Sequence, residues 1–298
     1  MERDDVTLHD LRIFLEFART EHLGQAAEAL ELSTAAVQRA VRSLEDRLGV
    51  PLFARDGRRL RLLHAGRILA DQAARVLRSR DDAIDAVHLA AGLVRDVVRV
   101  GYLYSLGLRV MPELIVRVKA AVPQARVELR HGSTAELVGG VLASELDAAC
   151  VAPLPEQRDL ETVPMFEEAL LLCVPAGDAL AGRASVDLRA VRTRPFAALR
   201  QGFGTRAYLL EACARAGFRP AFAYEVDDIF TLEGLVGAGL AVSVLPAQMR
   251  TIANARVAYV PLVPSCATSR VVGLVYRRTG KRHRALASLV ASARAWHA

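Results

Sequence analysis

Nowhere do the 298 residues reach the ~18 consecutive apolar positions of a membrane-spanning helix, so none is expected. The opening Met1-Glu2-Arg3-Asp4-Asp5 is acidic and runs into an amphipathic segment. An export signal has a basic start and an apolar run instead, so the expected compartment is the cytoplasm. Cysteine is scarce: Cys150, Cys173, Cys213 and Cys266 stand far apart and make no CxxC pair. In a reducing cytosol these read as four buried thiols. The seven histidines are scattered as well, with no HExxH and no zinc spacing, so neither a metal site nor a cofactor is expected. Gly202-Phe203-Gly204 lacks the third glycine and the acidic partner of a dinucleotide loop.

With 52% hydrophobic and 24% charged residues the chain is of ordinary globular composition, and its length fits about two domains. The net charge of +6 is unevenly spread. Residues 1–32 carry three Arg against eight acids, whereas residues 33–80 carry eleven Arg against four. Residues 234–298 hold nine bases and no acid. The block at 33–80 has the sign that a nucleic-acid surface needs.

Leu8, Leu11, Phe14, Leu15 and Ala18 form a helical stripe. A short helix fits Gly24 to Leu30 with Gly24 as its N-cap, and Ser33 caps a third helix that buries Val37, Val41, Leu44 and Leu48. The opposite face of that third helix carries Thr34, Gln38 and Arg42, with Arg39 beside them. This is the helix-turn-helix arrangement. Gly49-Val50-Pro51 ends the helix, and Leu52-Phe53, Asp56-Gly57 and Leu60-Arg61-Leu62 predict a β-hairpin wing bearing Arg55, Arg58 and Arg59.

From about Ala65 to Leu93 a long helix is expected, its apolar seam running through Leu69, Ala73, Val76, Ala83, Val87, Ala90 and Val94. Such a seam wants a partner helix, so self-association is expected through it, with packing onto its own domain as the plainer alternative. Beyond Val97, strand and helix signals alternate. Strands are predicted at Val97–Tyr102, Arg126–Arg130, Asp147–Ala152, Ala169–Val174, Pro195–Leu199, Phe222–Val226 and Ala241–Leu245. Helices are predicted at Leu106–Ala121 and from Ser133, and the alternation implies two α/β units with parallel sheets and a cleft between them.

The run Leu23-Gly24-Gln25-Ala26-Ala27-Glu28-Ala29-Leu30-Glu31-Leu32-Ser33, then Val37-Gln38-Arg39, Leu44-Glu45, Leu48-Gly49-Val50-Pro51-Leu52-Phe53 and Arg55, closely resembles the LysR-type transcriptional regulators. Gly132-Ser133, Glu136-Leu137, Glu145-Leu146-Asp147 and Gly237-Ala238-Gly239-Leu240 through Leu245-Pro246 resemble the family's effector-binding domain. The resemblance implies an all-α winged helix-turn-helix at residues 1–63, a dimerising linker helix at 64–94 and an α/β effector domain at 95–298. That domain comprises two Rossmann-like, periplasmic-binding-protein-like subdomains, one of residues 95–165 and 269–298 and one of 166–268. The chain is expected to cross between them near Pro164–Phe166 and Pro261–Ser269. Thr34 stands where the family usually has Gln, Gln38 where it has Ser, and Leu63 where a Thr opens the linker helix.

The expected DNA-binding residues are Ser33, Thr34, Ala35, Gln38, Arg39, Arg42, Arg55, Arg58 and Arg59. Arg39 suits guanine O6/N7 and Gln38 suits adenine N6/N7, while Ser33, Thr34 and Arg42 suit phosphates and Arg58 a narrow minor groove. The expected effector-binding residues lie at strand-to-helix junctions: Ser105, Ser133, Thr134, Gly204, Thr205, Asp227 and Asp228. Hydroxyls and free N–H groups at helix starts suit a small ligand, although plain N-capping uses the same residues. The family's peroxide sensors carry a Cys in the loop where Gly204 stands and a second nine residues on, where Cys213 stands, so a two-cysteine switch is not expected.

The function expected is a sequence-specific, ligand-responsive transcription factor and not an enzyme. Its expected partners are double-stranded DNA, a small effector and further copies of the chain as dimer or tetramer, and such a regulator can also touch RNA polymerase. The rival reading is an α/β enzyme, or a solute-binding protein fused to a DNA-binding module. Neither a nucleophile–base pair nor a Walker loop supports it.

Overall fold

Short-range capping chemistry starts the helices of the N-terminal third. The computed structural model describes residues 6–56, 59–90, 96–251, 254–278 and 283–296. The chain divides into two compact units, Met1–Val94 and Arg95–Leu142 together with Leu146–Ala298.

In the first unit α1 (Leu8–Thr20) opens on a capping box, in which Thr7 accepts from Asp10 N and the Asp10 carboxylate accepts from Thr7 N. Asp10 also pairs with Arg47 at 2.9 Å, and that bond holds its carboxyl well below the usual range. For α2 (Leu23–Ala29) the cap is His22 and not Gly24, with the ring Nδ1 accepting from Gln25 N at 3.3 Å. The helix begins one residue early because an imidazole nitrogen serves as the acceptor. Ser33 caps α3 (Thr34–Leu48), accepting from Ala36 N at 3.2 Å. Val37, Val41 and Leu44 are buried, while Leu48 at the helix end is half-buried.

The wing is β1 (Phe53–Asp56) antiparallel to β2 (Arg59–Leu62), with Phe53 opposite Leu62. Glu45 fastens it to α3, because its Oε1 accepts from Leu52 N at 2.7 Å and Phe53 N at 3.1 Å. The Phe53 ring then packs 4.5 Å from Phe17 and 5.7 Å from Phe14.

The linker helix is α4 (His64–Ala90). A Cβ on Gly66 would come within 2.4 Å of the Leu52 carbonyl, so only glycine lets α4 start against the wing. Ala73 and Leu77 are buried with Leu11, Phe14 and Leu44, and Leu69 packs against them. The expected seam therefore needs correction. Its first residues, Leu69 and Ala73, pack on α1 of the same chain, which is the neighbouring helix that the sequence pattern seemed to lack. Among the described large apolar side chains of α4, Ile68, Val76, Ile84 and Val87 are exposed. Val94 and the side chain of Ala90 lie outside the described residues.

The second unit runs β3 (Val97–Tyr102), α5 (Val110–Ala121), β4 (Arg126–His131), α6 (Thr134–Leu142), β5 (Ala148–Val151), β6 (Leu160–Pro175), β7 (Phe196–Leu199), α7 (Gly204–Arg215), β8 (Phe222–Val226), α8 (Ile229–Gly237), β9 (Ser243–Pro246), β10 (Val257–Val260), β11 (Ser269–Arg277) and α9 (Arg284–Arg294). Strand β3 pairs in parallel with β4 and β5, and β7 with β8. The sheets are nevertheless mixed, not parallel throughout, because β6 and β11 run antiparallel to their neighbours. These two strands carry the chain between the lobes. Pairing of β6 passes from β11 to β9 between Ala169 and Leu170, a few residues beyond the expected crossing at Pro164–Phe166.

Each lobe has its own apolar core. Val98, Val100, Leu114, Leu137, Val272 and Leu274 lie in one, and Leu170, Leu172, Phe196, Leu209, Val242 and Val244 in the other. Full burial of such side chains contributes about 1.5–3 kcal/mol each.

Candidate DNA interface and effector cleft

Helix α3 turns one face to the core and the other to solvent. Ser33, Thr34, Ala35, Arg39 and Arg42 are exposed, and Gln38 is half-buried between them. Arg39 and Arg42 form no salt bridge among the described residues, so both guanidiniums are available to a ligand. Arg47, by contrast, is bound to Asp10 and to the Ser43 carbonyl. Arg58 lies outside the described residues, as do the side chains of Arg55 and Arg59; in the wing the backbone of Arg55 stands opposite Leu60 and that of Arg59 opposite Asp56.

In the α/β unit several expected effector residues have local partners. The Ser133 hydroxyl donates to Glu136 Oε2 at 2.9 Å and accepts from Glu136 N at 3.2 Å. Glu136 also accepts from Ser133 N, and these bonds hold its carboxyl below the usual range. The Thr134 hydroxyl donates to the Ala152 carbonyl at 2.8 Å. Asp228 caps α8 through Phe230 N and Thr231 N, and Asp227 makes an exposed pair with Arg200 at 3.3 Å.

Ser105, Gly204 and Thr205 lie where the lobes meet. A Cβ on Gly204 would stand 2.2 Å from the Ala152 carbonyl and 2.7 Å from Pro153 Cδ, so glycine is required for this close approach. Thr205 is buried in the first turn of α7, whose N-cap Phe203 offers no side-chain acceptor. Ser105 is buried just after β3, and its Oγ accepts from Arg270 Nη2 at 2.9 Å.

Sequence reasoning passed over Arg270 and its surroundings. Arg270 on β11 stands opposite Glu168 on β6 and donates to its Oε1 from Nε at 2.9 Å and Nη2 at 2.7 Å. Burial pulls the guanidinium down from its usual range, and Glu168 opposes the shift. The available signal was a lone charge at the head of the apolar run Val271-Val272-Gly273-Leu274-Val275. Tyr104 and His131 were passed over too: the Tyr104 hydroxyl lies 2.7 Å from His131 Nε2, and its ring meets Phe230 of the other lobe edge-on at 6.2 Å. Among the described residues no group of three His, Cys, Asp or Glu side chains could hold a metal ion, and no helix is long and apolar enough to cross a membrane.

A winged helix-turn-helix with a basic face, in one chain with a two-lobed α/β unit, defines a DNA-binding regulator with an effector-binding domain. Residues 8–67 match the family model for the bacterial regulatory helix-turn-helix protein of the lysR family, and residues 91–298 match that for the LysR substrate binding domain. The malonate utilization transcriptional regulator of Klebsiella pneumoniae is 31% identical over 97% of this chain and 95% of its own length. A full-length OxyR variant from Pseudomonas aeruginosa is 28% identical with a TM-score of 0.67, covering 98% of this chain and 96% of that one. Full-length CbnR, solved in complex with its target DNA, is 25% identical with a TM-score of 0.70 over 98% of this chain and 100% of that one. The chain belongs to the LysR-type transcriptional regulators. It binds DNA, takes an effector and works as an oligomer, in a family of regulators and not of enzymes.

Proposed function

We propose that this regulator acts in the cytoplasm without catalysing a reaction, reading its operator with α3 and responding to a small molecule held between the lobes, with Ser105 and Thr205 among its contacts. The working division is residues 1–63 for DNA, 64–94 for dimerisation and 95–298 for the effector. Arg39 makes the base contact, Gln38 assists it, and Ser33, Thr34 and Arg42 hold the backbone. Arg55, Arg58 and Arg59 add wing contacts. The carrying observation is the pair of solvent-facing guanidiniums, Arg39 and Arg42, on a helix whose other face is locked into the core.

Arg39→Ala tests this. A bidentate arginine–guanine pair contributes about 1–3 kcal/mol of discrimination. The variant should therefore bind the native operator about ten- to a hundredfold more weakly and lose preference at one base pair per half-site. Fluorescence anisotropy against a set of single-base operator variants measures both. Unchanged affinity and preference would remove Arg39 from the interface. For the effector, the malonate-related name of the Klebsiella relative makes a short dicarboxylate the first probe.

A further inference from the structure

The wing consists of two strands of four residues, and its first rung pairs Phe53 with Leu62. A two-stranded ribbon of that length has little stability of its own, so its direction is set at its root. Two carboxylates grip that root, one on each strand. Glu45 Oε1 on α3 accepts from Leu52 N at 2.7 Å and from Phe53 N at 3.1 Å, where the chain enters β1. Glu21 Oε1, at the end of α1, accepts from Leu62 N at 3.1 Å, where the chain leaves β2.

Neither carboxylate stands where helix chemistry alone would place it. Glu45 lies in the last turn of α3, at the negative end of the helix dipole, where an acid is disfavoured. Glu21 is the C-cap of α1 with a φ of 48°, in the left-handed region that favours glycine. Strain held at a non-glycine residue points to a task for its side chain, and this side chain holds Leu62. Glu45 also stands three residues from Arg42, the spacing at which an acid and an arginine pair on a helix. The two form no salt bridge among the described residues, and Glu45 Oε1 faces the wing amides instead.

We propose that Glu45 and Glu21 are positioning residues for operator binding, which fix the wing against α3 so that both reach DNA together. This rests on the reading that the wing arginines contact DNA, and it adds the groups that aim them. Once α3 is seated, a wing held at the right angle binds as an intramolecular event. A wing free to swivel loses that effective concentration. Base preference belongs to α3 and is left untouched.

The test uses the full chain. Glu45→Ala removes both amide bonds, whereas Glu45→Gln keeps an Oε1 acceptor without the charge. Glu21→Gly releases Leu62 while giving the left-handed position its favoured residue. Anisotropy over a salt series measures affinity and slope, single-base operator variants measure preference, and calorimetry measures the melting temperature. Glu45→Ala and Glu21→Gly should each weaken the operator about tenfold. Each should lower the salt slope by about one and keep the wild-type base preference. Glu45→Gln should restore binding close to wild type. Glu21→Gly should hold its melting temperature near wild type, which a merely structural role does not predict. Should Glu45→Ala fail to fold, Glu21→Gly decides by the same criteria. Wild-type binding by Glu21→Gly or by a folded Glu45→Ala, a loss of base preference, or weakening in Glu21→Gly that only tracks a fall in melting temperature would overturn the proposal. Changing Arg55, Arg58 and Arg59 together to Ala separates the two claims. If that variant binds weakly and the glutamate variants do not, the wing touches DNA and only the positioning role falls. If it binds as wild type does, the wing reading falls as well.

Discussion

Cys213 occupies the position at which a peroxide-sensing relative would carry its second thiol, yet its surroundings give it no such chemistry. The side chain is fully buried in the core of the second lobe, and burial pushes its thiol up to about 12. Oxidation proceeds through the thiolate, so at neutral pH the group is inert. The position nine residues earlier is Gly204, where even a methyl group would strike the Ala152 carbonyl. Cys213→Ser should leave operator binding equally insensitive to hydrogen peroxide, and a thiol reagent should label the native protein only as fast as it unfolds. A peroxide-induced intrachain disulfide at Cys213, seen by mass spectrometry, would contradict this account. The same reasoning separates Ser133 and Asp228 from Ser105. The first two have their acceptor oxygens engaged with their own helix N-termini, whereas Ser105 is engaged with a residue from the far end of the chain.

Helix α4 serves two masters along its length, and its faces can be separated by mutation. Leu77 is buried against α1 and α3, so Leu77→Glu places an unpaired charge in the core of the DNA-binding unit. That change should cost more than the ~2–5 kcal/mol of a large-to-small core substitution and unfold the unit. Val76 and Val87 are 44% and 67% exposed. Val76→Glu and Val87→Glu should shift the melting temperature little, within ~0.5 kcal/mol of wild-type stability. They should weaken self-association if α4 pairs with a second copy. Sedimentation velocity and differential scanning calorimetry read the two effects apart. Wild-type association in both valine variants would move the dimer interface off this helix.

At the scale of the whole molecule, the proposed reading has two copies of α3 in a dimer facing two successive major-groove segments. Helix-turn-helix dimers set their half-sites about 34–36 Å apart, so the operator should be an interrupted inverted repeat. The basic segment 33–80 should make binding strongly salt-dependent, each phosphate contact steepening the slope of log affinity against log salt by about 0.9. Arg42→Ala should lower that slope by about one and weaken operator and random DNA alike, unlike Arg39→Ala. Footprinting and anisotropy over a salt series check the pair. A direct repeat, or an Arg42→Ala variant that loses base preference, would redraw the interface.

The N-terminal architecture could be read along the chain because its determinants are local. Ser33 caps the helix that begins beside it, Glu45 reaches amides only seven and eight residues ahead, and the α3 stripe repeats within one helix. The strand–helix alternation after Val97 is local in the same sense. Other features arise from pairs that sequence distance hides. Arg270 meets Glu168 across 102 residues and Ser105 across 165, so β11 read from its own neighbours shows only an arginine in an apolar run. The inward turn of Leu69 and Ala73 depended likewise on α1 lying alongside α4, which a single-helix periodicity does not contain. Helical and strand periods report which side of an element is apolar. Which surface covers that side, and which charge is left without a partner, is set by packing in three dimensions, where donors and acceptors far apart in the chain are counted together.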